Sequence, residues 1–142
     1  MTSEQTANEE VFDISAPDQL ERLLPLIHDM HYSLDEVQWS EDRRCLALSL
    51  SESWQNIGCA QVWLPKPLPH LPVHSRSAIL EFHTVTSWEA LDDDCPADIS
   101  SLRYENGKIT VTSAYPIKLS VMVERPMVKI RDYQESCTGW RR

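Results

Sequence analysis

Two runs of strict apolar alternation constrain this chain more than any other feature. Leu46, Leu48 and Leu50 alternate with Ala47, Ser49 and Ser51, and Ile117, Leu119, Val121 and Val123 alternate in the same way. Successive side chains of a strand point to opposite faces, so a period of two gives a ribbon with one apolar face that must be covered. The second run lies in a segment dense in turn signals. Leu102–Glu105 and Lys108–Thr112 flank Asn106-Gly107, the pair best suited to a two-residue hairpin turn. Tyr115-Pro116 makes another turn, Glu124-Arg125-Pro126 a third, and Val128 and Ile130 continue the alternation. The pattern predicts a four-strand meander with one apolar face.

Upstream, Ser33–Trp39 reads as a strand with a bulge near Asp35, because Tyr32 and Leu34 are out of phase with Val37 and Trp39. The polar turn Ser40–Arg44 then leads into the leucine run, which predicts a hairpin. Ala60–Leu64 reads as a short strand and Ala78–Val85 as another. Between them, Pro65 to Pro72 carries four prolines and reads as an exposed extended loop. Glu89–Pro96, with Asp92, Asp93 and Asp94, reads as a second loop. One helix is expected. Ser15-Ala16-Pro17-Asp18 resembles a capping box, and Leu20, Leu23, Leu24 and Ile27 form one stripe, with Pro25 ending or kinking the helix near Leu24. The fold class is therefore mainly β (α+β): an antiparallel sheet or two-layer β-roll of about seven strands with one N-terminal helix. Residues 1–11 read as a disordered acidic tail, 12–136 as a single globular domain and 137–142 as a C-terminal tail.

Composition excludes several functions. Three glycines, Gly58, Gly107 and Gly139, cannot build a P-loop or a Rossmann fingerprint. The net charge is −9, and residues 1–29 hold seven of the acids against one base. That balance argues against nucleic-acid and anionic-membrane partners. No apolar stretch is long enough to span a bilayer. Cys45, Cys59, Cys95 and Cys137 contain no CxxC, and the N-terminus lacks the pattern of a secretory signal, so free thiols and a cytoplasmic location are expected.

Candidate sites are sparse, and no catalytic residue is assigned. His28, Asp29 and His31 place two imidazoles and a carboxylate within four residues. A metal there would need a further ligand from His70, His74 or His83. A polar helix exit is the preferred reading, and no cofactor is expected. Asp92–Asp94 with Asp98 offer oxygen ligands for Mg²⁺ or Ca²⁺ without EF-hand spacing, so a solvated acidic loop is preferred. There is no GxSxG, and only folding could bring a cysteine beside a histidine. Lys66, Leu68, Pro69, Leu71 and Pro72 fit a proline-rich peptide motif, although a rigid crossing loop is the preferred reading. With the meander's apolar residues inward, Arg103, Lys108, Lys118, Lys129 and Arg131 would share one outer face. That face would suit an anionic partner or simply protect the sheet edges.

The order of a His-Asp pair leading into a strand, the Cys45–Leu50 strand, the Leu80-Glu81-Phe82-His83-Thr84-Val85 run and a closing set of strands resembles a group of small bacterial β proteins. Some of these are immunity proteins of polymorphic toxin systems. The resemblance covers roughly residues 20–135 and implies no catalytic residues; His83 stands where a turn glycine would be expected. It implies a non-enzymatic binding protein, an immunity-type inhibitor with a protein partner. The alternative is a small metal-dependent enzyme built on His28, Asp29 and His31. Nothing in the sequence calls for a homo-oligomer.

Overall fold

The computed structural model describes residues 9–57, 60–62, 68, 70–90, 97–113 and 118–138. Among them, the protein is a two-sheet antiparallel β structure with one α-helix. The strands are β1 (Glu10–Asp13), β2 (His31–Tyr32), β3 (Gln38–Ser40), β4 (Cys45–Ile57), β5 (Ala60–Val62), β6 (Val73–Phe82), β7 (Val85–Ala90), β8 (Ala97–Asp98), β9 (Ser101–Glu105), β10 (Lys108–Thr112), β11 (Lys118–Val123) and β12 (Met127–Thr138). The helix, α1, spans Pro17–Ile27. Sheet I has the order β1-β12-β6-β4-β2-β8, and β3 and β5 also pair with the long β4. Sheet II has the order β7-β11-β10-β9. The count exceeds the expected seven because several strands are only two or three residues long, too short to show a period.

One contiguous core joins the layers. Sheet I contributes Phe12, Leu46, Leu48, Leu50, Leu80, Phe82, Val128 and Ile130; sheet II contributes Val85, Leu102, Ile109, Val111, Leu119 and Val121. Burying a side chain of this size is worth about 2 kcal/mol, so the alternating runs supply much of the driving force. The Asn106-Gly107 hairpin forms as the sequence predicts. Both residues have positive φ, 53° and 78°, and Lys108 pairs with Glu105.

Three expectations about the strands are corrected. The closing strand β12 belongs to sheet I, so the fourth strand of the sheet II set is β7, beside β11. The turn at Glu124–Pro126 hands the chain from one layer to the other. Ala78–Val85 is likewise split: β6 ends at Phe82 in sheet I and β7 starts at Val85 in sheet II, with Thr84 (φ 54°) at the corner. The phase slip near Asp35 is a single 3₁₀ turn, Leu34–Glu36, separating β2 from β3.

The helix stripe docks Leu23 and Ile27 into the core, and Arg22 lies over the Phe12 ring, 5.3 Å from its centroid. The expected capping box is not made. Ala16 is the N-cap and has no side-chain bond, while the Ser15 hydroxyl donates to Asp13 Oδ1 at 2.6 Å. Pro25 does not end the helix, which runs on to Ile27, and the His28 N–H still reaches Leu24 O at 2.8 Å. At the termini, Glu10 and Val11 pair with Ile130 and Lys129 in β1, and β12 extends to Thr138. Residues 1–8 and 139–142, Asp92–Asp94 and the Tyr115-Pro116 turn lie outside the described residues.

Candidate functional site

Along its length, the inner face of sheet I changes from apolar to polar. On β4 the residues in phase with Leu46, Leu48 and Leu50 are Glu52 and Trp54. On β6 those in phase with Phe82, Leu80 and Ala78 are Arg76 and His74. On β12 strict alternation from Val128 and Ile130 would carry Asp132 and Gln134 onto this face, but an extra residue between Arg131 and Gln134, with Asp132 at φ 58°, shifts the phase by one. Glu135 thereby comes onto the face of Val128 and Ile130. The register then places Glu52, Arg76 and Glu135 in one row across three strands, and Trp54, His74 and Cys137 in the next.

The C-terminal end of α1 lies over this polar half. Together they enclose a cleft of about 670 Å³, lined on the helix side by Glu21, Leu24, Pro25, His28 and Asp29. The sheet side supplies Glu52, Trp54, Gln61, Arg76 and Glu135. Arg76 ties the two sides together. Its Nε donates to Glu52 Oε1 at 2.6 Å, and its terminal nitrogens donate to the carbonyls of Pro25 (3.1 Å), Leu26 and His28. These are carbonyls that a helix end leaves without partners, at the negative pole of its dipole. Burial alone would lower the Arg76 pKa. Hydrogen bonds to Glu52 and Tyr133, with their charge, outweigh that and hold it above its ordinary value.

Glu52 is thus matched by Arg76. Among the described residues, no lysine or arginine pairs with Glu21, Asp29 or Glu135. His28 Nδ1 lies 3.3 Å from Asp29, and the Tyr133 hydroxyl donates to Glu135 at 2.7 Å. Trp54 is half-buried and stacks on His74, centroids 5.6 Å apart. The cleft therefore presents carboxylates around an aromatic wall, an arrangement that attracts a cation.

The structure brings some of the sequence candidates here and sends others elsewhere. His28 and Asp29 line the cleft. His31 does not: it lines a separate depression with Ser33, Glu36, Ser49 and Ser51, on the other face of sheet I. His70 is exposed in the loop before β6. Asp98 is in β8 and accepts from Ser100 Oγ at 3.3 Å. Of the proline motif, Lys66 and Pro69 lie outside the described residues. Leu68 and Leu71 are tied to the sheet, because the buried Gln55 side chain donates to both their carbonyls and accepts from the Leu68 N–H.

The five cationic positions are divided between the two sheets. Arg103 and Lys108 are exposed on sheet II, with Lys108 paired in register with Glu105. Lys118 pairs with Thr112 at the start of β11. Lys129 and Arg131 belong to sheet I and are ion-paired, to Glu9 at 3.2 Å and to Glu81 at 2.6 Å.

Folding does place a cysteine beside a histidine. Cys45, Glu81 and His83 cluster on the outer face of sheet I. Burial, followed by the charge of Glu81, pushes the Cys45 thiol up. An activated nucleophile needs the opposite shift. Sequence reasoning missed this cluster, and also Glu52, Trp54, Arg76 and Glu135. One signal was present for the cleft: Glu52 occupies the inward phase of the leucine run, where an apolar residue belongs.

Comparison with protein-family models, curated proteins and solved structures finds no match. Among the described residues, no helix is long and apolar enough to cross a membrane.

Proposed function

We propose that this chain is a non-enzymatic binding protein, of the kind an immunity-type inhibitor would be, and that it receives a cationic segment of a protein partner in the cleft beneath α1. The observation that supports this reading is the cleft's charge. Glu21, Asp29 and Glu135 surround a neutral Glu52–Arg76 pair beside Trp54, in a chain of net charge −9. A lysine or arginine entering there would gain carboxylate partners and an aromatic face, and the chain's overall field would speed the encounter. A cytoplasmic setting goes with this reading, and Cys45 and Cys137 are free thiols. The enzyme built on His28, Asp29 and His31 gains no support, because His31 faces away from the other two.

Affinity capture from the host with the wild-type chain and with an E21Q/D29N/E135Q variant tests the proposal. A protein held by the wild type, released by raised salt and not retained by the variant is the expected result. Equal retention by both chains would overturn the cleft assignment.

A further inference from the structure

We propose that Cys45, Glu81 and His83 form a binding site for a divalent transition metal of the zinc class on the outer face of sheet I. One ligating atom of each residue lies within 4.8 Å of the other two. The backbone produces this arrangement. Leu46 pairs with Phe82 and Ala47 with Glu81, so Cys45 and His83 stand across from each other one step beyond the last pair. Glu81, two residues before His83, shares their face. Sulfur, imidazole nitrogen and carboxylate oxygen make the mixed donor set that zinc accepts, and three protein ligands leave a fourth position for water.

The surroundings suit a metal as well as the donors do. Arg131 Nε donates to Glu81 Oε2 at 2.6 Å, fixing the carboxylate from behind as second-layer partners of metal ligands do. The other oxygen, Oε1, lies 3.0 Å from His83 Nε2. A metal would replace the proton shared by those two atoms, which passes to Nδ1 of a neutral ring or to solvent from a protonated one, and Cys45 would release its own proton to solvent as the metal–sulfur bond forms. Charge stays balanced, since a dication offsets the thiolate and the Glu81 carboxylate while Arg131 keeps Asp132 at 2.9 Å. The ligand-bearing ends are also held in place. The Val85 N–H donates to Arg44 O at 2.9 Å and the His83 N–H to Met127 O at 3.2 Å. Arg44 and Thr84, the neighbours of Cys45 and His83, are left-handed without being glycine, a backbone cost that persists only where the surroundings impose it. Cys45 and Glu81 are buried while the His83 side chain is 34% exposed, so the metal would enter past the imidazole.

The test uses the full chain, stripped with chelator and titrated with Zn²⁺ and with Co²⁺. The expected result is one equivalent of Zn²⁺ with a rise in thermal midpoint. Co²⁺ should give a tetrahedral spectrum with a thiolate charge-transfer band. C45S and H83Q should each weaken binding by about 100-fold or more, whereas C137S and H28Q should leave it unchanged. Circular dichroism checks that the variants fold, and H83Q, at the more exposed position, decides the matter if C45S does not. Absence of saturable binding, a cobalt spectrum without the thiolate band, or unchanged affinity in H83Q would each overturn the assignment. The result is independent of the cleft, because the two sites lie on opposite faces of sheet I.

Discussion

Arg76 and Glu52 face each other across β6 and β4, and the guanidinium that closes this pair at 2.6 Å also holds the last carbonyls of α1. One side chain thus joins the helix end to the sheet and forms the floor of the cleft. Replacing Arg76 with Met should cost about 3 kcal/mol, the low end for removing one partner of a buried pair. The low end applies because the Arg76 side chain is 15% exposed, so water screens part of the pair. Urea denaturation gives the loss, and hydrogen exchange should show it concentrated at the C-terminal turn of α1. R76K should recover only part of it, because a lysine cannot reproduce the planar fork.

Tyr32 is 2% exposed, and its hydroxyl has no hydrogen-bond partner among the described residues. Burial, with a smaller contribution from Asp98, pushes its pKa up to about 12 from 10.0. Between those values the unfolded chain gives up the phenolic proton and the folded one keeps it. The unfolded state therefore binds fewer protons, and stability falls as pH rises through the window. Tyr32→Phe removes both the unpaired hydroxyl and the titration. It should match or exceed the wild type at neutral pH, and its advantage should widen above about pH 10. Urea midpoints across that range check this, and an advantage that stays constant with pH would refute it.

Gln55 anchors the chain ahead of β6 with three hydrogen bonds, to Leu68 O (2.9 Å), Leu71 O (3.2 Å) and from Leu68 N (2.9 Å). Gln55→Ala should cost about 1–3 kcal/mol, the range for leaving buried polar partners unmatched. Limited proteolysis should then cut near Leu68 faster than in the wild type. A loop equally resistant in the variant would mean that Gln55 does not hold it.

Val121 is fully buried between Ile109 and Trp88 on sheet II, while its neighbour Met122 is 38% exposed. Val121→Ala removes two methyl groups from the core and should cost about 1–3 kcal/mol. Met122→Ala, on the other face, should stay within about 0.5 kcal/mol. Chemical denaturation of both variants measures the strand phase directly, and equal losses would contradict it.

Much of the fold is legible where a local rule suffices. The leucines of β4 and the alternation through Val121 identify buried faces correctly, and Asn106-Gly107 locates a hairpin, because each signal lies within a few consecutive residues. Pro25 shows how a local rule can be outweighed. Its missing N–H and ring should stop the helix, yet α1 continues for two more residues, its end held by a guanidinium from a strand some fifty residues later. The Ser15 capping box fails for a related reason, since the hydroxyl finds Asp13 instead.

The candidate sites were nearly invisible, and the cause is the same for both. Glu52, Arg76 and Glu135 become a row only through the β4–β6 and β6–β12 registers, and Glu135 only through the bulge at Asp132. Cys45 meets His83 only because β4 starts where β6 ends. The sequence by itself determined which side of the strictly alternating strands is buried, where one hairpin turns and which stripe of the helix docks, since side-chain chemistry acts on those choices locally. Tertiary structure decided which strands share a sheet, which is why β7 and β12 changed layers and why His28 and His31 parted. Backbone hydrogen bonds are chemically alike from strand to strand, so the choice of partner rests on how the whole core packs.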